Sequence, residues 1–472
     1  MNPSAQNAAA QPPGFRAQAR AVLGLGLPLI GSHMAQFGLH VTDTIMLGWY
    51  GVLDLAAGAL GAMMFFAFFT FGSGYANAVM PMVATAAARE DETEVRRATR
   101  MGLWLSMLYA LLVLPIFVWS EPILLGLGQE AGVSALGGAY LAIVGLGLGP
   151  ALMVMVLKSY LAALGRTQVV MWVTVAAVFV NVFFNWVFIF GNLGAAEMGA
   201  RGAAAASVLV QLFTLGVMLG YAVWLPALRR YALMVRFWRP DWAAMRAVNA
   251  LGLPIGLAML AETGMFAASA VMMGWLGTQT LAAHSIALEI TAMFFMIHMG
   301  LSNAATVLVG RARGRRDMAG LRASARVSVI ISMAVAVTTM AIYLMLGEVM
   351  VGAFLAPDNP ERAVIVPLGV TLLWVAALFQ LADGAQAMAM GLLRGIQDTK
   401  WPMVIAAVSY WLIGIPAGYA LAFVAGLEGV GLWLGLVVGL TVASLALMLR
   451  FWRAVSLRQA ALFALDHDRR SF

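Results

Sequence analysis

Along the chain, apolar residues fall into blocks of about 20, the length a helix needs to cross ~30 Å of hydrocarbon. Short stretches holding Gly, Pro or charged residues separate the blocks. The pattern predicts transmembrane helices near 22–47, 55–78, 101–120, 136–160, 168–190, 202–224, 247–273, 281–309, 324–346, 364–393, 401–424 and 429–452. A membrane β-barrel would instead show alternating segments of about 10 residues, and none are visible. The expected fold class is an all-α polytopic membrane protein of about twelve transmembrane helices.

The pattern also repeats. Residues 25–57 align without a gap on residues 251–283, with 13 identities in 33 positions, several times what shared apolar composition gives. Leu25-Gly26-Leu27-Pro28 matches Leu251-Gly252-Leu253-Pro254. Met46, Gly48, Trp49 and Gly51 match Met272, Gly274, Trp275 and Gly277. A weaker match follows, with Thr167 and Met171 against Thr399 and Met403. Six spans is an even number, so both halves enter the membrane in the same direction. They form two six-helix bundles related as parallel repeats, a transporter plan with substrate and ion sites near the midplane. Pro28 and Pro254 are expected to bend the first and seventh helices alike.

Composition supports the membrane reading. Of 472 residues 62% are hydrophobic and only 10% charged, too few charges to cover a soluble surface. The net charge of +7 could suggest nucleic acid, but placement says otherwise: in a twelve-span topology 25 of the 28 basic residues fall on one side. Lys158, at the end of span 4, points to the same side, and only Arg201 and Arg362 fall opposite. By the positive-inside rule that side is cytoplasmic, with both termini inside. The predicted division is a cytoplasmic tail at 1–21, a first bundle at 22–226, a cytoplasmic linker at 227–246, a second bundle at 247–452 and a cytoplasmic tail at 453–472.

Several function classes drop out. Without cysteine there are no disulfides or thiolate metal sites. The first 20 residues, with Gln11-Pro12-Pro13-Gly14, read as a polar tail with no cleavage signal, so the first span is retained. No G-x-x-x-x-G-K-[ST] occurs and no segment is long enough for a nucleotide-binding domain, which excludes an ATP-driven pump for this chain alone. Neither H-E-x-x-H nor G-x-S-x-G appears, and Gly72-Ser73-Gly74 lacks the flanking spacing, so an enzyme is not expected.

A charge in hydrocarbon costs at least ~2.5–3.5 kcal/mol, which makes intramembrane acids functional candidates. Four lie well inside spans: Asp43, Glu262, Glu289 and Asp383. No basic residue is expected deep enough to neutralise them, leaving protons or mobile cations as counter-ions. The alternative is a protonated acid bonded to a neighbouring helix. Glu262 lies 16 residues beyond Arg246 and Asp383 lies 11 residues before Arg394, about 24 and 16 Å of helix, so both fall in the interior of the same half. In the repeat, Glu262 sits opposite Gln36 and Asp43 opposite Ser269, so neither acid is required by the fold alone. Gln380, Asp383 and Ala387 share a helix face, as do Asn181 and Asn185, and Phe266 lies one turn beyond Glu262. For the asparagines, helix–helix hydrogen bonding is as good a reading as a site role. His284 and His298 are read as hydrogen-bonded structural residues ahead of proton relays. Among the Met and Phe residues some line the cavity, where Met adapts to varied apolar ligands.

At these residues the chain resembles the multidrug and toxic compound extrusion (MATE) family, in its NorM-like branch. The resemblance covers 22–452 and rests on Val41-Thr42-Asp43-Thr44-Ile45-Met46-Leu47-Gly48, on Gly252-Leu253-Pro254 through Glu262, and on Ala282-Ala283-His284-Ser285-Ile286-Ala287-Leu288. Its most specific stretch is Asp383-Gly384-Ala385-Gln386 followed by Gly391-Leu392-Leu393-Arg394-Gly395-Ile396-Gln397-Asp398-Thr399. It implies export of organic, often cationic, compounds in exchange for Na⁺ or H⁺ from a bacterial inner (plasma) membrane, by a monomer with no cofactor and no metal beyond a transported Na⁺. It implies that Glu262 and Asp383 form the cation site of the second bundle, that Asp43 with Asn181 is the polar cluster of the first, and that Phe266 is an aromatic residue near the ion. Gln380, Asn185 and Glu289 would line or support the path. Two departures stand out: His298 where the family usually has Pro, and Glu289 where a neutral polar residue is usual. The alternative is a lipid-linked oligosaccharide flippase of the same wider superfamily, which would be expected to hold phosphates with basic residues inside the membrane.

Overall fold

Within hydrocarbon every backbone N–H must find its acceptor inside its own segment, so long apolar runs become helices. The computed structural model describes residues 14–468, with side chains to residue 457; the tail at 1–13 and Arg469 and Arg470 lie outside the described residues. Twelve helices are long and apolar enough to span. They are α1 (Phe15–Tyr50), α2 (Val52–Ala88), α3 (Glu92–Val118), α4 (Ala131–Ala163), α5 (Thr167–Phe190), α6 (Ala200–Trp224), α7 (Trp242–Trp275), α8 (Thr278–Gly314), α9 (Met318–Gly352), α10 (Arg362–Gly395), α11 (Lys400–Val424) and α12 (Glu428–Asp468).

Many of the helices overrun the apolar blocks because nothing stops them at the membrane edge. α1 begins at Phe15 rather than 22, and α12 runs to Asp468 through what reads in the sequence as a tail. Where helices start on the Arg-rich face, aspartates cap three of them: Asp91 accepts from Glu94 N–H at 2.9 Å, Asp241 from Ala244 at 3.0 Å and Asp317 from Gly320 at 2.7 Å. Pro28 and Pro254 sit inside unbroken helices. The departures from regular winding lie elsewhere, in one tight turn of α4 at Gly145–Gly147 and two widened stretches of α11 at Val408–Gly414 and Ala420–Val424. There Gly414 and Gly418 meet Gly435 and Gly439 backbone to backbone, an approach any side chain would block.

The two halves meet along a seam in the Arg-bearing half of the helices. Gly74 of α2 packs against the backbones of Gly252 and Gly256 of α7, and Gly300 of α8 packs against that of Ile30 of α1. His33 pairs with Asn303 at 3.0 Å, Thr85 donates to the Gly310 carbonyl at 3.2 Å, and Arg311 donates to the Ala163 carbonyl at 2.8 Å. Ser73 and Asn77 touch the Met259 sulfur at 3.6 and 3.7 Å and mark the seam's inner limit. Beyond that level no hydrogen bond joins the halves among the described residues. The connection between the halves folds onto α3: Arg100 donates to the carbonyls of Val235 and Arg239 at 2.9 and 3.1 Å, and Trp104 to that of Phe237 at 2.9 Å.

Candidate ion and substrate site

In the first half α5 and α6 bring three polar groups to Asp43 of α1. Its Oδ1 accepts from Asn181 at 2.9 Å and Asn185 at 2.6 Å, and its Oδ2 accepts from Ser207 at 3.4 Å. Asn185 also donates to Asn181 at 3.2 Å, so one turn of α5 serves as an amide clamp on α1. Both asparagines are buried. Asn181 and Asn185 are therefore brought to Asp43 together, and Ser207, which the sequence reading missed, completes the shell. This carboxylate is already bonded to its neighbours.

The second half is built differently. Glu262 on α7 and Asp383 on α10 lie near enough for their charges to act on one another. Among the described residues neither accepts a hydrogen bond. Asp383 is buried, and one turn before it Gln380 is fully buried with both amide atoms unpartnered. Around the pair stand Tyr410 of α11, which accepts from Gln386 at 2.5 Å and feels both carboxylates, and Tyr343 of α9, within reach of Asp383. Trp411 of the widened stretch donates to the Ala261 carbonyl at 3.1 Å and so ties α11 to α7 beside Glu262. Phe266 packs edge-on against Phe379 with centroids 6.0 Å apart, and Phe379 does the same with Trp433 at 5.4 Å. An apolar aromatic wall thus backs two carboxylates that lack donors. In low dielectric such groups need a proton or a cation.

Three expectations require correction. The interior is not free of basic residues: Arg394 is buried, and its charge reaches Glu262 and Tyr410, although no ion pair forms between Arg394 and Glu262. Its long side chain turns inward from the helix end. Lys158 likewise does not point to the Arg-rich face. Its Nζ donates to Gln36 Oε1 at 3.0 Å, deep along α1. His284 is buried with neither ring nitrogen bonded, and packs edge-on against Trp433 at 5.8 Å instead of hydrogen-bonding. His298 does bond, to Ser332 at 3.0 Å, and fills the space over Gly384, which anchors α8 to α9 and α10. Glu289 is half-buried on α8 and joins neither cluster; no hydrogen bond or ion pair reaches it among the described residues.

The duplicated architecture has a counterpart among known proteins. The MatE family model matches twice, over residues 28–187 and 254–420, and the two matches begin at the repeat-equivalent Pro28 and Pro254. The chain belongs to the MatE family. MatE membership makes it a membrane transporter and not an enzyme. It is 43% identical over 432 residues to the probable multidrug resistance protein NorM of Agrobacterium fabrum, covering 92% of this chain and 93% of that one. It is 42% identical over 442 residues to the protein of the same name from Rhizobium meliloti, covering 94% and 95%. A crystal structure of MATE in complex with MaL6 superposes with a TM-score of 0.86 at 18% identity, covering 94% of this chain and 97% of that one. That of the eukaryotic MATE transporter AtDTX14 gives 0.84 at 19%, covering 94% and 99%. These structures share the MatE fold.

Proposed function

We propose that this transporter exports organic, often cationic, compounds from the bacterial cytoplasm across the inner membrane in exchange for Na⁺ or H⁺, by alternating access and as a monomer. The Arg-rich face is cytoplasmic in this reading, and both termini lie inside. The observation that carries it is the pair Glu262 and Asp383, the first half-buried and the second buried, neither with a hydrogen-bond donor, immediately beyond the seam. A cation or proton arriving there removes the cost of the buried charge, and drug and cation then shift each other's affinity by linkage. One charge moved through 100 mV supplies ~2.3 kcal/mol, enough to drive appreciable accumulation. The multidrug names of the relatives point the same way.

Lys158 is the observation that most favours a lipid-linked sugar flippase, since Arg394, also buried, acts on Glu262. A single ammonium facing an amide is a poor phosphate cradle beside arginine forks, and the unbonded acids of the other half argue against anionic cargo there. The deciding experiment is dye efflux from proteoliposomes with Na⁺ and pH gradients imposed separately. Efflux under one gradient and not in its absence is expected. Equal, gradient-independent movement would sink the coupled-export reading.

A further inference from the structure

On the Arg-rich face the first half carries a cavity that neither the acid pair nor the Asp43 clamp touches. It holds about 360 Å³ and lies where the turn from α4 to α5 meets the chain leaving α6, walled by Leu164, Arg166, Pro226, Leu228, Arg230 and Tyr231. That volume is in the range of small-molecule sites. The walls combine apolar side chains with two guanidiniums and a phenol, and no carboxylate lines them among the described residues. Arg230 is held in place by its buried neighbour: its guanidinium lies over the Tyr231 ring at 4.8 Å and donates to the Tyr231 hydroxyl at 2.8 Å. Glu92 reaches Arg230 Nε only at 3.8 Å, with both side chains exposed. Arg166 is exposed and makes no hydrogen bond or ion pair with another side chain among the described residues. Most of the donors on this pair of arginines are therefore free.

Two exposed tryptophans set the level of this cavity. Trp224 ends α6 two residues before Pro226, and Trp172 lies six residues beyond Arg166 on α5, about 9 Å of helix. Exposed tryptophans on spanning helices settle at the boundary between hydrocarbon and headgroups, so the two arginines stand at the depth of lipid phosphates. We propose that the cavity holds the phosphate of an anionic phospholipid, with the acyl chains on the apolar outer surface of the bundle. Guanidinium forks match phosphate oxygens bidentately. A zwitterionic headgroup brings an ammonium as well, which two arginines repel. The cavity opens at the rim of the protein and not between the halves, so the lipid is a resident ligand and not cargo, and the inference does not rest on the export reading. The turn that presents Arg166 is also a seam contact: Arg311 of α8 donates to the Ala163 carbonyl at 2.8 Å, and a Cβ at Gly165 would lie 3.1 Å from its Nη2. A bound lipid thus sits beside the place where the halves meet on this face.

The test is native mass spectrometry of the purified full-length protein, titrated with dioleoyl phosphatidylglycerol or with the phosphatidylcholine of the same chains, which reads Kd for the first lipid bound. Wild-type protein is expected to prefer phosphatidylglycerol. Arg166→Gln combined with Arg230→Gln should raise the phosphatidylglycerol Kd about 20-fold, roughly fivefold for each arginine, and leave that of phosphatidylcholine unchanged. Tyr231→Phe removes no charge but releases Arg230, and should raise the same Kd by about threefold. The control is Arg246→Gln combined with Arg326→Gln, which takes two exposed arginines from elsewhere on the same face and should leave the preference intact. Equal losses in the two double variants overturn the proposal, because the whole face and not this cavity then attracts the lipid. Wild-type protein without a preference for phosphatidylglycerol overturns it too. Glycerol 3-phosphate is the soluble competitor, and displacement of the lipid at equal concentration would assign the cavity to free phosphates and overturn the lipid assignment.

Discussion

The seam is the feature on which the proposed alternating access depends, and Gly74→Ala probes it directly. A Cβ at Gly74 would lie 2.5 Å from the Gly252 carbonyl oxygen and 2.7 Å from the Gly256 Cα. Both are backbone atoms of α7, which no rotamer change can move. The strain of such overpacking is typically about 1–3 kcal/mol, and it is present only while the halves are closed on the Arg-rich side. At ~1.4 kcal/mol per decade the closed-to-open ratio falls by about 5- to 150-fold, so a state held at 100:1 drops to between about 20:1 and parity. The chain has no cysteine, so Arg89→Cys and Arg315→Cys, both exposed at the helix ends beside the seam, can carry spin labels. Double electron–electron resonance then reads the separation of the halves. A longer-distance population is expected in Gly74→Ala. Gly102→Ala serves as a control, because its Cβ meets the side chains of Val79 and Val156 within the first half. An unchanged distribution in Gly74→Ala, or an equal change in Gly102→Ala, would refute the reasoning.

Other expectations are simpler to state. Glu262→Gln and Asp383→Asn lose no hydrogen bond, so thermal stability should stay near wild type while gradient-driven efflux is abolished; normal transport in both variants removes them from the coupling site. Asp43→Ala leaves two buried amide donors facing nothing and should cost about 1–3 kcal/mol of stability, whereas Asp43→Asn keeps an acceptor and should cost much less; equal losses in thermal scans would contradict the clamp. Asp241 binds Arg97 of α3 and caps α7, and these contacts hold its carboxyl down at about 2 from a usual value of 3.8. A lowered folded value means that the stabilisation is full above pH ~4 and is lost as pH falls toward 2. Asp241→Asn, a partly exposed site, should therefore lower stability by about 1 kcal/mol or less at pH 7 and by nothing near pH 2; a difference that persists in acid would rule this out. Tags at either terminus should be reached only from the cytoplasm and a tag at Glu130 only from outside, and labelling of both from one side would overturn the orientation.

What could be read from the sequence follows from where the physics is local. Span number and the duplicated halves were legible because hydrocarbon thickness and backbone satisfaction act on contiguous residues. Asp43, Glu262 and Asp383 were legible because an acid in an apolar block stands out by cost alone. Helix ends were less so, since α1 and α12 simply continue into polar residues. The partners of each acid were the least legible. Asn181 and Asn185 were visible as an i, i+4 pair on one helix, but Ser207 and Tyr410 come from other helices and carry no spacing signal. Lys158 was misplaced for a specific reason: the positive-inside rule describes where helices end, and a lysine five residues from the end of α4 can extend its stem the other way. Reading it against Gln36, the repeat partner of Glu262, would have raised the question.

That pairing shows how one duplicated backbone serves two electrostatic tasks. At equivalent depth on α1 and α7 stand Gln36 and Glu262. The first is met by a resident cation, Lys158. The second faces Asp383 without any direct cation, with Arg394 felt only at a distance. A half that carries its own ammonium gains nothing from a mobile cation, because a second positive charge would be repelled in low dielectric. A half with two unbonded carboxylates gains a great deal. Under the proposed function, ion exchange falls to the second half and the first is left to respond to the cargo, so that the two ligands act on opposite sides of a single seam. Reciprocity between them then requires no shared contact, only that both bias whether Gly74 and Gly256 touch.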